Sequence, residues 1–121
     1  MTESPSSKRF DLEDRTLAFA KRVRLFVKQL PRTMANEADG RQLIDASGSV
    51  VANYIEANDA LSRKDFVMRI KICRKEAKES RYWLRLIETG GSSTLESERE
   101  YLIQEAGELA SIFGAIITKA Q

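Results

Sequence analysis

The chain has 121 residues and a mass of 13.7 kDa, room for one domain built round one core. At 42% hydrophobic and 31% charged it has enough apolar residues to fold and too many charges for a membrane protein. It has no histidine, one cysteine and a formal net charge of +2, which excludes imidazole acid–base chemistry, Ser-His-Asp and Cys-His nucleophiles, histidine-ligated metals and an internal disulfide.

The single thiol, Cys73, fits a reducing compartment, and one chain cannot assemble a thiolate zinc or iron-sulfur site from it. The opening Met1-Thr2-Glu3-Ser4-Pro5-Ser6-Ser7 has no apolar core of the signal-peptide kind. No stretch approaches the ~18 apolar residues that would span a bilayer. The expectation is a cytoplasmic protein with no membrane, metal or cofactor partner, made of a flexible tail over residues 1–9 and one domain over 10–121.

Two prolines and six glycines separate long segments whose apolar residues recur every three or four positions. The first predicted helix runs from Leu12 to Leu30, with Phe19, Val23 and Phe26 on its apolar face, and Pro31 ends it. The second runs from about Ala38 to Asn58 with Leu43, Ser47, Val50, Tyr54 and Ala57 inward. Gly40 and Gly48 blur its start.

The third is announced by Ser62 and Asp65 as a capping box, followed by Phe66, Ile70, Cys73, Ala77, Ser80, Leu84 and Ile87 in 4-3 alternation. Thr89-Gly90-Gly91-Ser92-Ser93-Thr94 reads as a turn. A fourth helix follows from about Leu95 to Lys119, with Ser93 and Glu96 as a second capping box. Short connections predict an all-α, antiparallel, up-and-down four-helix bundle.

Helix three carries a second apolar stripe. At ~100° per residue, Met68, Ile72, Trp83 and Leu86 cluster away from the core face, which is expected of a self-association surface. Glu76 and Glu79 fall inside or beside this stripe and need partners. Glu-x-x-Glu also occurs in di-iron bundles, but those add Glu-x-x-His, and this chain has no histidine. Charge-assisted bonds across a subunit contact, or to Asn53 and Tyr54, are the simpler expectation.

The small net charge conceals segregation along the chain. Residues 8–34 carry eight basic and three acidic side chains (net +5), and residues 62–87 carry nine and three (net +6). Residues 35–61 and 88–121 are each net −4. On helix three, Lys64, Lys71, Lys78 and Arg85 are spaced by seven and form one line, with Arg74, Lys75 and Arg81 beside it. On helix one, Lys21, Arg24 and Lys28 lie opposite the apolar face. Two accounts are open: these cations bind an RNA or DNA backbone, or basic helices one and three neutralise acidic neighbours and fix helix order.

The runs Gln42-Leu43-Ile44-Asp45-Ala46-Ser47-Gly48-Ser49-Val50-Val51-Ala52-Asn53-Tyr54-Ile55-Glu56-Ala57, Ser62-Arg63-Lys64-Asp65-Phe66 and Lys75-Glu76-Ala77-Lys78-Glu79-Ser80-Arg81-Tyr82-Trp83-Leu84 resemble the "four helix bundle protein" family. It is also called the ribosomal S23-like or intervening-sequence protein family. Phe10-Asp11-Leu12 and Thr16-Leu17-Ala18-Phe19-Ala20 resemble its first helix, so the likeness covers nearly the whole chain.

The resemblance implies a small bacterial bundle that assembles as a homopentamer and has no known catalytic activity. The family is similar in turn to the accessory protein of diversity-generating retroelements, a basic pentameric barrel that binds nucleic acid and a reverse transcriptase. The motif positions carried over are Asn53, Glu56, Ser62, Asp65, Phe66, Lys75, Glu76, Glu79, Tyr82 and Trp83. Of these, Asn53, Glu56, Glu76 and Glu79 are expected as a polar cluster between helices two and three or across subunits. The reading is a non-enzymatic, self-associating bundle whose basic faces contact nucleic acid; the other is a scaffold for a protein partner.

Overall fold

The computed structural model describes residues 5–121, with side chains from Leu12 onward. Four α-helices, and no strand among the described residues, make up the chain: α1 Pro5–Lys28, α2 Met34–Asn58, α3 Arg63–Leu86 and α4 Ser93–Ala120. Helix α1 begins earlier than the periodicity indicates, because proline suits a first helical position where the missing amide hydrogen has no role. Residues 5–9 of the expected tail are therefore helical, and residues 1–4 lie outside the described residues.

Helix α1 closes with the amides of Gln29 and Leu30 donating to the carbonyls of Phe26 and Val27, just ahead of Pro31. Thr33 then caps α2, its hydroxyl accepting from the Asn36 amide at 3.0 Å. That cap starts α2 four residues before the predicted Ala38. Gly40, which obscured this start, is buried against α1, where a Cβ would sit 3.1 Å from Val27 Cγ1. Its small size is spent on close helix approach.

Ser62 caps α3 as expected, accepting from the Asp65 amide at 3.0 Å. The α3–α4 turn uses Gly90 at φ +68° and Gly91 at φ +82°, the left-handed backbone that glycine adopts without penalty. The cap of α4 is Ser92, one residue before the predicted Ser93, and accepts from the Leu95 amide. Glu96 instead accepts from the Thr89 hydroxyl and pairs with Arg99, whose other guanidinium nitrogen donates to the Ile87 carbonyl at the end of α3. These bonds hold the Glu96 carboxyl below its usual range, the Thr89 bond first and the Arg99 bond next.

The register of neighbours shows alternating direction. Arg15 meets Glu105 and Glu108 while Arg22 meets Glu98; Val27 packs on Gly40 while Arg24 reaches Gly48. Asn36 meets Glu88 and Asn53 meets Arg69; Arg74 lies by Gly114 and Arg81 by Gly107. In each pair one number rises as the other falls, so consecutive helices, and α1 with α4, are antiparallel. Helix α3 packs on α2 and α4 and, among the described residues, not on α1, which is its diagonal. Among the described residues the α1–α4 seam is the thinnest.

Phe19, Val23, Phe26, Leu43, Val50, Ile70, Leu84, Leu102, Leu109 and Phe113 fill the centre. Truncating any one leucine or phenylalanine here removes about 2–5 kcal/mol of stability. All the inward residues predicted on α2 are buried, as are those of α3 except Phe66, which is half-buried. The two polar ones are satisfied: Ser47 donates to the Ile44 carbonyl and Ser80 to that of Glu76. Cys73 is buried with its thiol donating to the Val50 carbonyl, and burial pushes that thiol up to about 12. No helix among the described residues is long and apolar enough to cross a membrane.

Candidate nucleic-acid interface

The cations of α3 are set out along its solvent face by the helical repeat. Lys64, Lys71, Lys78 and Arg85 are all exposed and follow one another about every 10.5 Å, seven residues at about 1.5 Å each. Arg74 and Lys75 are exposed beside them, and Arg81 is half-buried toward α4. None of these seven makes an ion pair with any described residue. The Arg85 guanidinium stands 5.9 Å from the ring centroid of Tyr82, an exposed aromatic on the same face.

Two glycines of α4 shape the ground beside this strip. A Cβ on Gly107 would lie 3.3 Å from Arg81 Nη1, and one on Gly114 would lie 3.9 Å from Arg74 Cδ. The glycines are seven apart on α4 and the arginines seven apart on α3, so both arginine side chains lie against bare backbone at matching points of the seam. Next to them a shallow groove of about 680 Å³ is lined by Arg81, Arg85, Ile103, Gln104, Gly107, Glu108, Ser111 and Ile112. The seven-residue glycine repeat in α4 is the sequence signal that would have located this seam.

Because Gly114 leaves only ordinary contact for a methyl group, Gly114→Ala should stabilise the protein by about 0.5–1 kcal/mol, the cost of an interior helical glycine. A thermal melt should rise by a few degrees. A fall would mean that Arg74 is held against that backbone more firmly than 3.9 Å implies.

Helix α1 behaves differently. Arg15 makes a two-pronged pair with Glu105 at 2.8 Å and a further bond to Glu108 at 3.0 Å. Arg22 does the same with Glu98 at 2.6 and 3.0 Å and lies 3.7 Å over the Tyr101 ring. The carboxylate bonds raise both guanidinium pKa values further above their ordinary range, the bond to Glu105 leading for Arg15 and that to Glu98 for Arg22.

Mutual neutralisation therefore operates at the α1–α4 seam and not at the α3–α4 seam. Of the three α1 cations predicted to contact nucleic acid, Lys21 lines the α1–α4 groove with Arg22, Leu25 and Tyr101. Arg24 donates to the Ala20 carbonyl at 3.0 Å and leans toward α2, and Lys28 is exposed in the last turn. Since α1 and α3 are diagonal, these three do not join the α3 strip in one surface.

The second stripe of α3 divides. Leu86 is 58% exposed and Ile72 is half-buried without packing on the core, whereas Trp83 packs its ring on the core cluster. Met68, 50% exposed, lines a different groove with Val67 and Ala120. Glu76 and Glu79 are half-buried and hydrogen-bonded to each other. The expected four-residue polar cluster does not gather. Asn53 accepts from Arg69 at 3.1 Å and donates to the Ser49 carbonyl, Glu56 is exposed, and the two α3 carboxyls pair alone. Helical angle places these groups on neighbouring faces, but the side chains point to nearer partners. Arg69, which lies outside the motif positions, joins α3 to α2 through Asn53, alongside the Cys73–Val50 bond. No group of three carboxylates or thiols among the described residues could hold a metal ion.

Burial first, then the charge of Glu79 and the bond to it, push the Glu76 carboxyl up, with Lys75 opposing. A raised carboxyl pKa means the folded state pays for the charge at neutral pH, a cost relieved as pH falls through the raised value. Glu76→Gln should therefore raise the melting temperature at pH 7 and lose that advantage toward pH 4.5. An equal shift at both pH values would show that the gain is not electrostatic.

Known proteins are consistent with this architecture. No curated protein matches the sequence. A crystal structure of a protein of unknown function from the S23 ribosomal protein family of Bacteroides thetaiotaomicron VPI-5482 is similar, with 28% identity and a TM-score of 0.72. The match covers 88% of this chain and 97% of that one. The sequence profile described as 23S rRNA-intervening sequence protein matches residues 8–115, from within α1 to the last turns of α4, so the chain belongs to the 23S rRNA-intervening sequence protein family.

Proposed function

We propose that this protein is a non-enzymatic, cytoplasmic homo-oligomer that binds the phosphate backbone of RNA or DNA through the α3 strip and the α4 glycine seam beside it. The observation that carries the reading is the contrast between the helices: Arg15 and Arg22 of α1 are tied to α4 carboxylates, while seven α3 cations on one face make no ion pair with a described residue. Cations repeated along a helix without partners neutralise phosphates by counterion release, with no reading of base sequence. The family description, which names an insert in a ribosomal RNA gene, is a statement about gene location, and the reading rests on the charge geometry instead.

The test is affinity for a mixed-sequence RNA and a DNA duplex against salt. The logarithm of the affinity should fall steeply and linearly with the logarithm of salt, with a slope of at least about −3 and little dependence on sequence. Affinity that is flat with salt would overturn the proposal.

The assembly is taken to be a ring of five, a particle of about 68 kDa from five chains of 13.7 kDa. Support comes from the sequence resemblance and from the Ile72–Leu86 side of α3, where apolar side chains reach solvent beside the Glu76–Glu79 pair. Ile72→Glu with Leu86→Glu lies outside the core and should yield a folded 13.7 kDa monomer by light scattering. An unchanged mass would place the contact elsewhere.

A further inference from the structure

The first two turns of α3 and the last turn of α4 enclose an open groove of about 810 Å³ at the end of the bundle where α2 passes into α3. Its floor is Val67, Met68 and Ala120, apolar on every side. Its rim is Arg63, Lys64 and Lys71, all exposed and none ion-paired among the described residues. The one acid of the lining, Asp65, is directed to Arg69 of its own helix at 3.9 Å. Leu61, which immediately precedes the Ser62 cap, is 100% exposed, so a second large apolar side chain stands bare at this end.

We propose that this groove docks a short acidic peptide segment of another protein, one that inserts a large apolar side chain between Val67, Met68 and Ala120 and sets flanking carboxylates against Arg63, Lys64 and Lys71. The volume lies within the roughly 300–1,000 Å³ of sites that take small ligands, so it has room for a large apolar anchor together with the backbone that carries it. An apolar floor inside a rim of one sign is complementary to an apolar anchor flanked by the opposite sign: the anchor supplies affinity by burial, and the charges supply orientation and encounter rate.

A nucleic-acid strand is the poorer fit here. The floor offers phosphate no donor, and no aromatic ring lines it on which a base would stack. The groove therefore differs in partner from the rest of the α3 face, although Lys64 and Lys71 belong to both, and the proposal stands whether or not the strip binds nucleic acid.

The experiment is fluorescence anisotropy of two labelled eight-residue peptides with the full chain, one carrying Leu-Phe between runs of Glu and Asp, the other Ser-Ser in the same setting. The Leu-Phe peptide should bind at least tenfold more tightly. Met68→Glu, and separately Ala120→Glu, should weaken it at least tenfold, with circular dichroism melts and particle mass unchanged. Met68→Ser, which adds no charge beside Lys64 and Lys71, should weaken the Leu-Phe peptide and leave affinity for RNA within twofold, which separates this site from the strip. Equal binding of the two peptides would reduce the interaction to charge and overturn the proposal. So would absence of binding, and so would a drop in particle mass on Met68→Glu, which would make the groove a contact between copies of this chain.

Discussion

Reversing Lys71, Lys78 and Arg85 together to glutamate should lower affinity for an RNA or DNA backbone by more than about 100-fold at low salt and reduce the steepness of the salt dependence by about three. The size follows from exchanging three attractive charges for three repulsive ones along about 21 Å of helix, at about 1.5 Å per residue. The same change should leave folding and particle mass alone. All three side chains are exposed and none holds an ion pair with a described residue, so the loss is confined to the exposed Arg85–Tyr82 ring contact.

The contrast within the molecule makes this informative. Reversal of Arg15 or Arg22 would remove two-pronged pairs to Glu105 and Glu98 at the thinnest helix seam, and should loosen α1 whatever it does to binding. If the α3 triple variant dissociates the assembly, or binds as before, the strip is structural and the nucleic-acid reading fails.

Asn36→Ala should destabilise the fold by about 3 kcal/mol, lowering the melting temperature by roughly 10–15 °C. Asn36 is buried at the junction of three segments. Its amide group donates to the Pro31 carbonyl at 3.0 Å and to the Glu88 carbonyl at 2.8 Å, while its side-chain oxygen accepts from the Glu88 amide at 3.0 Å. One side chain thus ties the α1–α2 connection to the exit of α3, and alanine leaves the Glu88 amide and carbonyl without a partner and the Pro31 carbonyl with the Thr33 amide alone. Asn36→Asp keeps the shape and the acceptor but has no hydrogens for the two carbonyls, so it should lose nearly as much. A loss below about 1 kcal/mol in both variants would mean that water replaces the side chain there.

Much of the fold is legible along the chain because helical repeat and local punctuation are local physics. The 4-3 alternation from Phe66 to Ile87 marks the buried side of α3, Ser62 marks its start, and the glycines at 90 and 91 mark the turn that follows. Short local signals are less decisive: Thr33, not a residue near Ala38, caps α2, and Ser92 rather than its neighbour Ser93 caps α4. The resemblance to the intervening-sequence proteins rested on runs of residues, and the family match over residues 8–115 agrees with it.

What the linear pattern leaves undecided is which charges meet. It marks α1 and α3 alike as basic, yet the diagonal placement of the two helices and the register of each against α4 bring carboxylates to Arg15 and Arg22 and glycines to Arg74 and Arg81. In the same way Asn36 finds Glu88 across 52 residues, and Asn53 finds Arg69 rather than the glutamates one face away. Periodicity assigns a side chain to a face. Ion pairs and hydrogen bonds act over about 3 Å, a fraction of a helix diameter, so only the packed register of neighbouring helices selects the partner.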